Sequence, residues 1–103
     1  MQIISKLSDM IEEELKDAEK YIRCAMDKKS EYPTLAATFH KLSVDEMSHV
    51  NILHDQVVLL INDYRNKHGD PPERMQGIYD YLHKKHIDKA NEIKVLQSLF
   101  TQK

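Results

Sequence analysis

The chain contains few residues that interrupt secondary structure or cross-link it. Among its 103 residues are one cysteine, two glycines and three prolines. Because Cys24 has no second cysteine to pair with, an internal disulfide is excluded, and a reducing compartment is the simplest expectation. The longest aliphatic run, Val57–Ile61, is far too short to span a bilayer, and the first residues lack the apolar core of a signal peptide. The sequence therefore predicts a cytoplasmic protein without a membrane partner.

A large charge of either sign is also missing. The formal net charge is −2, from 15 basic and 17 acidic residues, and the two kinds are mixed along every segment. Without a basic patch, the chain offers little to the phosphate backbone of a nucleic acid. A nucleophilic hydrolase is disfavoured as well, since there is no glycine-rich elbow and no cysteine–histidine context that would activate a thiol.

Apolar residues recur every three or four positions, which is typical of amphipathic helices, and no alternating strand pattern appears. Breaks at Ser30–Pro33 and His68–Glu73 divide the pattern. Pro33 suits the first turn of a helix and Gly69 suits a helix end, while Asp70 is positioned to cap the third helix. We predict an all-α fold, a single domain over residues 1–103 with three long antiparallel helices at about 3–29, 33–67 and 71–102.

Two polar residues interrupt the apolar stripe of the second helix. The apolar members of that stripe are Leu35, Phe39, Leu42, Leu53, Val57 and Leu60. Between Leu42 and Leu53, the positions that would continue this stripe are occupied by Glu46 and His49. These two residues are three apart and therefore face the same side of the helix. A carboxylate and an imidazole thus point into the seam between helices, where an unpaired charge is costly. A metal ion bound by both side chains would compensate that cost.

Glu14 interrupts a similar stripe on the first helix. The other members of this stripe are Leu7, Ile11, Ala18, Tyr21 and Ala25. Folding the hairpin at Glu31 sets Glu14 level with position 48, between Glu46 and His49. A solvated carboxylate at the edge of an acidic run is the alternative interpretation of Glu14. The coincidence of three ligand-type residues at one height favours a shared site.

These residues resemble the ligand pattern of the ferritin-like superfamily, which includes bacterioferritins, rubrerythrins and encapsulated ferritin-like proteins. In that superfamily one helix carries a glutamate followed seven residues later by a tyrosine, and the next helix carries Glu-x-x-His. Glu14 with Tyr21, and Glu46 with His49, match those motifs within about residues 7–60. The resemblance implies a carboxylate-bridged di-iron or di-manganese centre. Glu14 and His49 would be terminal ligands, Glu46 would bridge, and Tyr21 would donate a hydrogen bond or handle an electron.

One chain carries only half of the ligands that such a centre uses. The superfamily builds its site from four helices, with four carboxylates and two histidines, whereas this chain has one Glu-x-x-His pair. Two copies could pair their first hairpins about a two-fold axis, giving a four-helix bundle and a homodimer. Alternatively, the third helix could supply ligands, with Glu92 at the right height and His83 and His86 nearby.

The expected activity follows from the donor atoms and from the resemblance. Carboxylates with one imidazole per metal suit iron or manganese better than metals selected by thiolates. The resemblance implies a di-iron oxidoreductase that oxidises ferrous iron or reduces peroxide. Two other interpretations stay open: a metal-free helical protein that dimerises or docks a partner helix, and a bundle in which zinc or another cation has a structural role.

Overall fold

The computed structural model describes residues 2–102, which form three α-helices and no strand. Helix α1 spans Gln2–Lys28, α2 spans Pro33–His68 and α3 spans Glu73–Thr101. The predicted all-α class is confirmed, and each predicted helix boundary lies within two residues of the observed one. Within this described part of the chain, no helix has a stretch long and apolar enough to cross a membrane.

Proline and glycine chemistry accounts for the turns. Pro33 occupies the first turn of α2, where its missing N–H costs no hydrogen bond. Gly69 ends α2 with a φ of 78° and donates its N–H to the Arg65 carbonyl at 2.9 Å. Glycine adopts this backbone region without strain, as expected at a helix end. The predicted cap at Asp70 is wrong, because the extended backbone of Pro72 separates it from the first turn of α3.

The hydrophobic core runs along α1. Ile11, Ala18 and Ala25 of the predicted stripe are buried, and so are Leu15 and Ile22 beside them. Met47 and Val50 of α2 and Ile93 of α3 complete the same cluster. Burial of these aliphatic side chains supplies roughly 25 cal/mol per Å² of apolar surface, and the alanines let the helices approach closely.

The buried face of α2 is rotated from the stripe that the sequence suggested. Its buried members are Ala36, Ser43, Met47 and Val50. Leu35 and Leu42 of the predicted stripe are 45% and 36% exposed. Ile78 of α3 is exposed as well. Because α1 and α3 together contact the Ser43 side of α2, the leucine stripe is left at the flank of the hairpin.

Polar contacts between helices fix their register. The Ser43 hydroxyl donates to the Ala18 carbonyl at 2.7 Å and accepts from the Gln97 amide at 2.9 Å, which joins all three helices. Lys29, in the first turn, donates to the Phe100 carbonyl, and its ammonium lies 4.8 Å from the centroid of the Phe100 ring. The carboxyl end of α3 is therefore held at the turn between α1 and α2.

Candidate metal centre

Glu14 of α1 lies beside Glu46 and His49 of α2. One ligand atom from each side chain lies within 4.8 Å of the others. The Nδ1 atom of His49 is 3.4 Å from a carboxylate oxygen of Glu14 and 3.6 Å from one of Glu46. The structure thus brings together the three residues that the hairpin register places at one height.

The donor set fits a divalent cation. Two carboxylates set two negative charges against at most one positive charge on the imidazole. Metal–oxygen and metal–nitrogen bonds of about 2.0–2.2 Å place neighbouring ligand atoms roughly 3–3.5 Å apart, close to the 3.4 Å and 3.6 Å that separate His49 from the two carboxylates. Exposure increases from the Glu46 side chain at 18% through Glu14 at 29% to His49 at 52%. Glu46 therefore lies deepest, and His49 lies at the edge that solvent reaches.

This ligand group lies on the side of the α1–α2 hairpin that is turned away from α3. On α1, Glu12 binds Lys85 of α3 at 2.8 Å and Glu19 binds Lys89 of α3 at 3.3 Å. Glu14 is two residues from Glu12, a rotation of about 200° around the helix. Across residues 2–102, no α3 side chain joins the ligand group.

Apolar side chains lie along the same faces of α1 and α2 as the ligand group. Ile3, Met10, Leu35 and Leu42 are exposed, and Leu53 and Leu60 are half-buried. We call the surface of the α1–α2 hairpin that carries the ligand group the open face. By helical spacing, its residues are Ile3, Leu7, Met10, Glu14 and Tyr21 of α1 and Leu35, Leu42, Glu46, His49, Leu53 and Leu60 of α2. In a single chain, the exposed apolar side chains of this face share it with a polar group and still contact solvent.

Tyr21 lies on the open face, seven residues after Glu14. That spacing corresponds to about 10 Å along α1. The Tyr21 ring stacks on Phe39 of α2, with centroids 6.2 Å apart and planes inclined by 20°. The stacking holds the ring against α2, and the role of its hydroxyl at a metal centre stays a prediction.

The structure does not bring Glu92 to the ligand group. Its carboxylate binds Arg23 of α1 and Lys89 of α3, each at 3.2 Å. Arg23 lies nine residues beyond Glu14, which is about 13 Å along α1. The hydrogen bond between Ser43 of α2 and Gln97 of α3 agrees with the predicted level of Glu92 along α2. The Glu92 side chain, however, points to α1.

The two histidines considered on α3 also lie elsewhere. The Nδ1 atom of His83 is 3.2 Å from Nε2 of His54 on α2. His86 is buried, with its Nε2 atom 3.7 Å from Glu12, and burial lowers its pKa against the opposing effect of the Glu12 carboxylate. Sequence reasoning missed His54, which has no motif spacing. The register of α2 against α3, which sets positions 54 and 83 level, is the only signal that could have found it.

The carboxylates between α1 and α3 form ion pairs with lysine and arginine side chains. A hydrogen bond from Lys85 lowers the pKa of Glu12, although burial opposes the shift. Burial raises the pKa of Glu19, but hydrogen bonds from Arg23 and Lys89 outweigh it, so the net change is a lowering. These ion pairs make both glutamates structural links between α1 and α3, unlike Glu14 and its neighbours.

No protein-family model, curated protein or solved structure matches this chain. The ferritin-like resemblance therefore depends on the motifs themselves, and membership of that superfamily stays a prediction.

Proposed function

We propose that two copies of this chain share a ferritin-like centre that binds a pair of iron ions, or manganese ions, and that this centre oxidises ferrous iron or reduces peroxide. The observation that carries the proposal is the convergence of Glu14, Glu46 and His49, whose ligand atoms lie within 4.8 Å of one another. Carboxylate oxygens with one imidazole nitrogen suit these metals.

The ligand count supports a shared centre. One chain supplies two carboxylates and one imidazole in the group, and a two-fold axis doubles them to the four carboxylates and two imidazoles of a ferritin-like site. Symmetric dimers place the same surface of each subunit in contact. Glu46, the deepest ligand, would bridge the two ions, while Glu14 and His49 would each bind one.

The apolar composition of the open face supports a second copy as the occupant of that face. Exposed Leu35 and Leu42 lie on the same face of α2 as the ligand group, and exposed Ile3 and Met10 lie on the corresponding face of α1. Two hairpins packed through this surface would form a four-helix bundle, with α3 on the outside of each hairpin. The same contact would remove water from the apolar side chains and complete the ligand set.

Each side chain has a distinct task in the proposed centre. When bound, a pair of iron ions would supply the two electrons that reduction of a peroxide to water requires. Glu14 and Glu46 would offset the repulsion between the cations. His49, half-exposed at the edge of the group, would mark the side from which small molecules enter, and Tyr21 would donate a hydrogen bond or an electron.

A metal-free helical dimer is the competing candidate, and one contact favours it. The 3.4 Å separation of His49 Nδ1 and Glu14 lies within hydrogen-bond range, so the imidazole could serve only as a partner for that carboxylate. In that case Glu46→Gln would leave metal content unchanged.

Anaerobic titration with ferrous iron, followed by exposure to air, tests the proposal. The protein should take up one iron per chain and develop ferric absorption in the near ultraviolet. Glu46→Gln keeps the side-chain shape and removes the charge, so iron affinity should fall at least tenfold. Glu13→Gln, at an exposed neighbour of Glu14, is the matched control and should bind as the unmodified chain does. Absence of iron uptake, or equal uptake by Glu46→Gln, would contradict the proposal.

A further inference from the structure

We propose a second metal site, separate from the first, in which His54 of α2 and His83 of α3 bind one divalent ion that prefers imidazole, such as zinc. The two side chains come from different helices and meet across the space between them. The ion would link the first half of α3 to the hairpin.

The distance between the two rings suits a shared ion. Nε2 of His54 and Nδ1 of His83 are 3.2 Å apart, and the rings are stacked with centroids 5.0 Å apart and planes inclined by 24°. Zinc–nitrogen bonds of about 2.1 Å place two nitrogens roughly 3.4 Å apart in a tetrahedral site and about 3.0 Å apart in an octahedral one. The observed separation of 3.2 Å falls between these values, as two nitrogens bound to one ion require.

The surroundings of the pair contain one carboxylate and one guanidinium. His54 and His83 line a cavity of about 330 Å³ between the helices, and Asp80 lines it too, one turn before His83 on α3. The Asp80 carboxylate accepts one hydrogen bond, from Gln76 at 2.8 Å, and adds negative charge to the wall. The opposing charge in the wall is Arg65, which donates to Gln76 at 3.0 Å.

His86 borders the same cavity, but its Nε2 atom faces Glu12, which is not part of the cavity wall. His86 lines the cavity and is 8% exposed, and its Nε2 atom has no hydrogen-bond partner among the described residues. Buried polar atoms of side chains are normally hydrogen-bonded. Because this nitrogen has almost no accessible surface, an ion in the cavity would not reach it, and His86 is not part of the proposed site.

The chemistry of this site differs from that of Glu14, Glu46 and His49. Two imidazoles suit zinc, copper or nickel, whereas a set dominated by carboxylates suits iron or manganese. His54 lies five residues after His49, which rotates it by about 140° around α2 toward α3. The two sites therefore face opposite sides of the hairpin and can be tested independently.

Calorimetric titration of the full chain with zinc, in a Glu46→Gln/His49→Ala background that removes the first site, tests the proposal. This background should bind one zinc per chain. Adding His83→Ala, at an exposed position, should weaken zinc binding at least tenfold, and adding His54→Ala should do the same. Circular dichroism of each variant verifies that the helices are retained.

His68→Ala provides the matched control, because His68 is an exposed histidine at the end of α2 that does not line the cavity. Zinc affinity should change less than twofold in this variant. Hydrogen exchange provides a second readout, since zinc should slow amide exchange in the first half of α3 only when both ligands are present. Equal zinc affinity with and without His83 would overturn the proposal and leave the pair as a hydrogen bond between two imidazoles.

Discussion

His86 shows how one buried residue couples stability to pH. It is the only buried titratable side chain within residues 2–102. Burial lowers its pKa, since the protonated ring loses hydration; the nearby Glu12 carboxylate opposes this shift, while Lys85 and His83 add to it. The His86 side chain therefore binds a proton less readily in the native protein than in the unfolded chain.

This difference predicts a loss of stability in mild acid. As pH falls through about 6.5, the ordinary value for histidine, the unfolded chain binds a proton at position 86 and the free energy of unfolding decreases. Above that range the contribution of His86 is constant. His86→Leu, which retains an apolar packing volume, should flatten the pH dependence of unfolding measured with urea between pH 8 and pH 5.

His68→Leu, at an exposed histidine, is the control for the pH experiment. Its stability profile should run parallel to that of the unmodified chain. Identical slopes for His86→Leu and the unmodified chain would show that His86 titrates equally in both states, contrary to the effect of its burial.

At the scale of helices, the relative positions of residues along neighbouring helices were predictable from the sequence, whereas the rotation of each helix about its own axis was not. Short turns fix how far along α2 each α1 residue falls, so the level of Glu14 with Glu46 and His49 followed from counting. The direction of each stripe depends on where α3 packs, which no local pattern specifies. Leu42 therefore lies exposed instead of buried, and Glu92 binds Arg23 instead of a site on α2.

Ser43 is a polar residue that links all three helices. It has no exposed surface, donates to the Ala18 carbonyl and accepts from the Gln97 amide. Its small side chain lets α2 approach α1 closely. Sequence reasoning missed this role, because a single serine in a helix carries no periodic signal.

Replacement of Ser43 by alanine should destabilise the protein. The change removes two hydrogen bonds and leaves the Gln97 amide without its acceptor, which costs about 1–2 kcal/mol in the free energy of unfolding. Urea denaturation measures the change. Ser48→Ala, at an exposed position on the same helix, should shift stability by less than about 0.5 kcal/mol. Equal effects of the two substitutions would contradict the linking role of Ser43.

At the scale of the whole molecule, the proposed dimer explains two features of the open face together. The face is bordered by exposed apolar side chains such as Leu35 and Leu42, and it contains half of a ferritin-like ligand set. The third helix of the same chain offers only one carboxylate at this height, Glu92, and that carboxylate is already paired with Arg23 and Lys89. A second copy would cover the apolar side chains and add the missing carboxylates.

A charge on the open face should separate the two copies. Leu42→Glu would place two carboxylates near the two-fold axis without partners, so the solution mass measured by light scattering should fall from that of a dimer to that of a monomer. Val44→Glu is the matched control, because Val44 is also exposed but lies about 200° around α2 from Leu42. The control should remain dimeric, and a dimer in both variants would contradict the proposed interface.

Native mass spectrometry of the protein loaded with ferrous iron without oxygen tests the shared centre most directly, because it reads subunit number and metal number in one ion. The chain mass is 12.1 kDa, so a shared centre predicts a species of twice that mass carrying two iron ions, which Glu46→Gln does not form. A monomer that binds iron through Glu14, Glu46 and His49, or a dimer that carries no iron under these conditions, would contradict it.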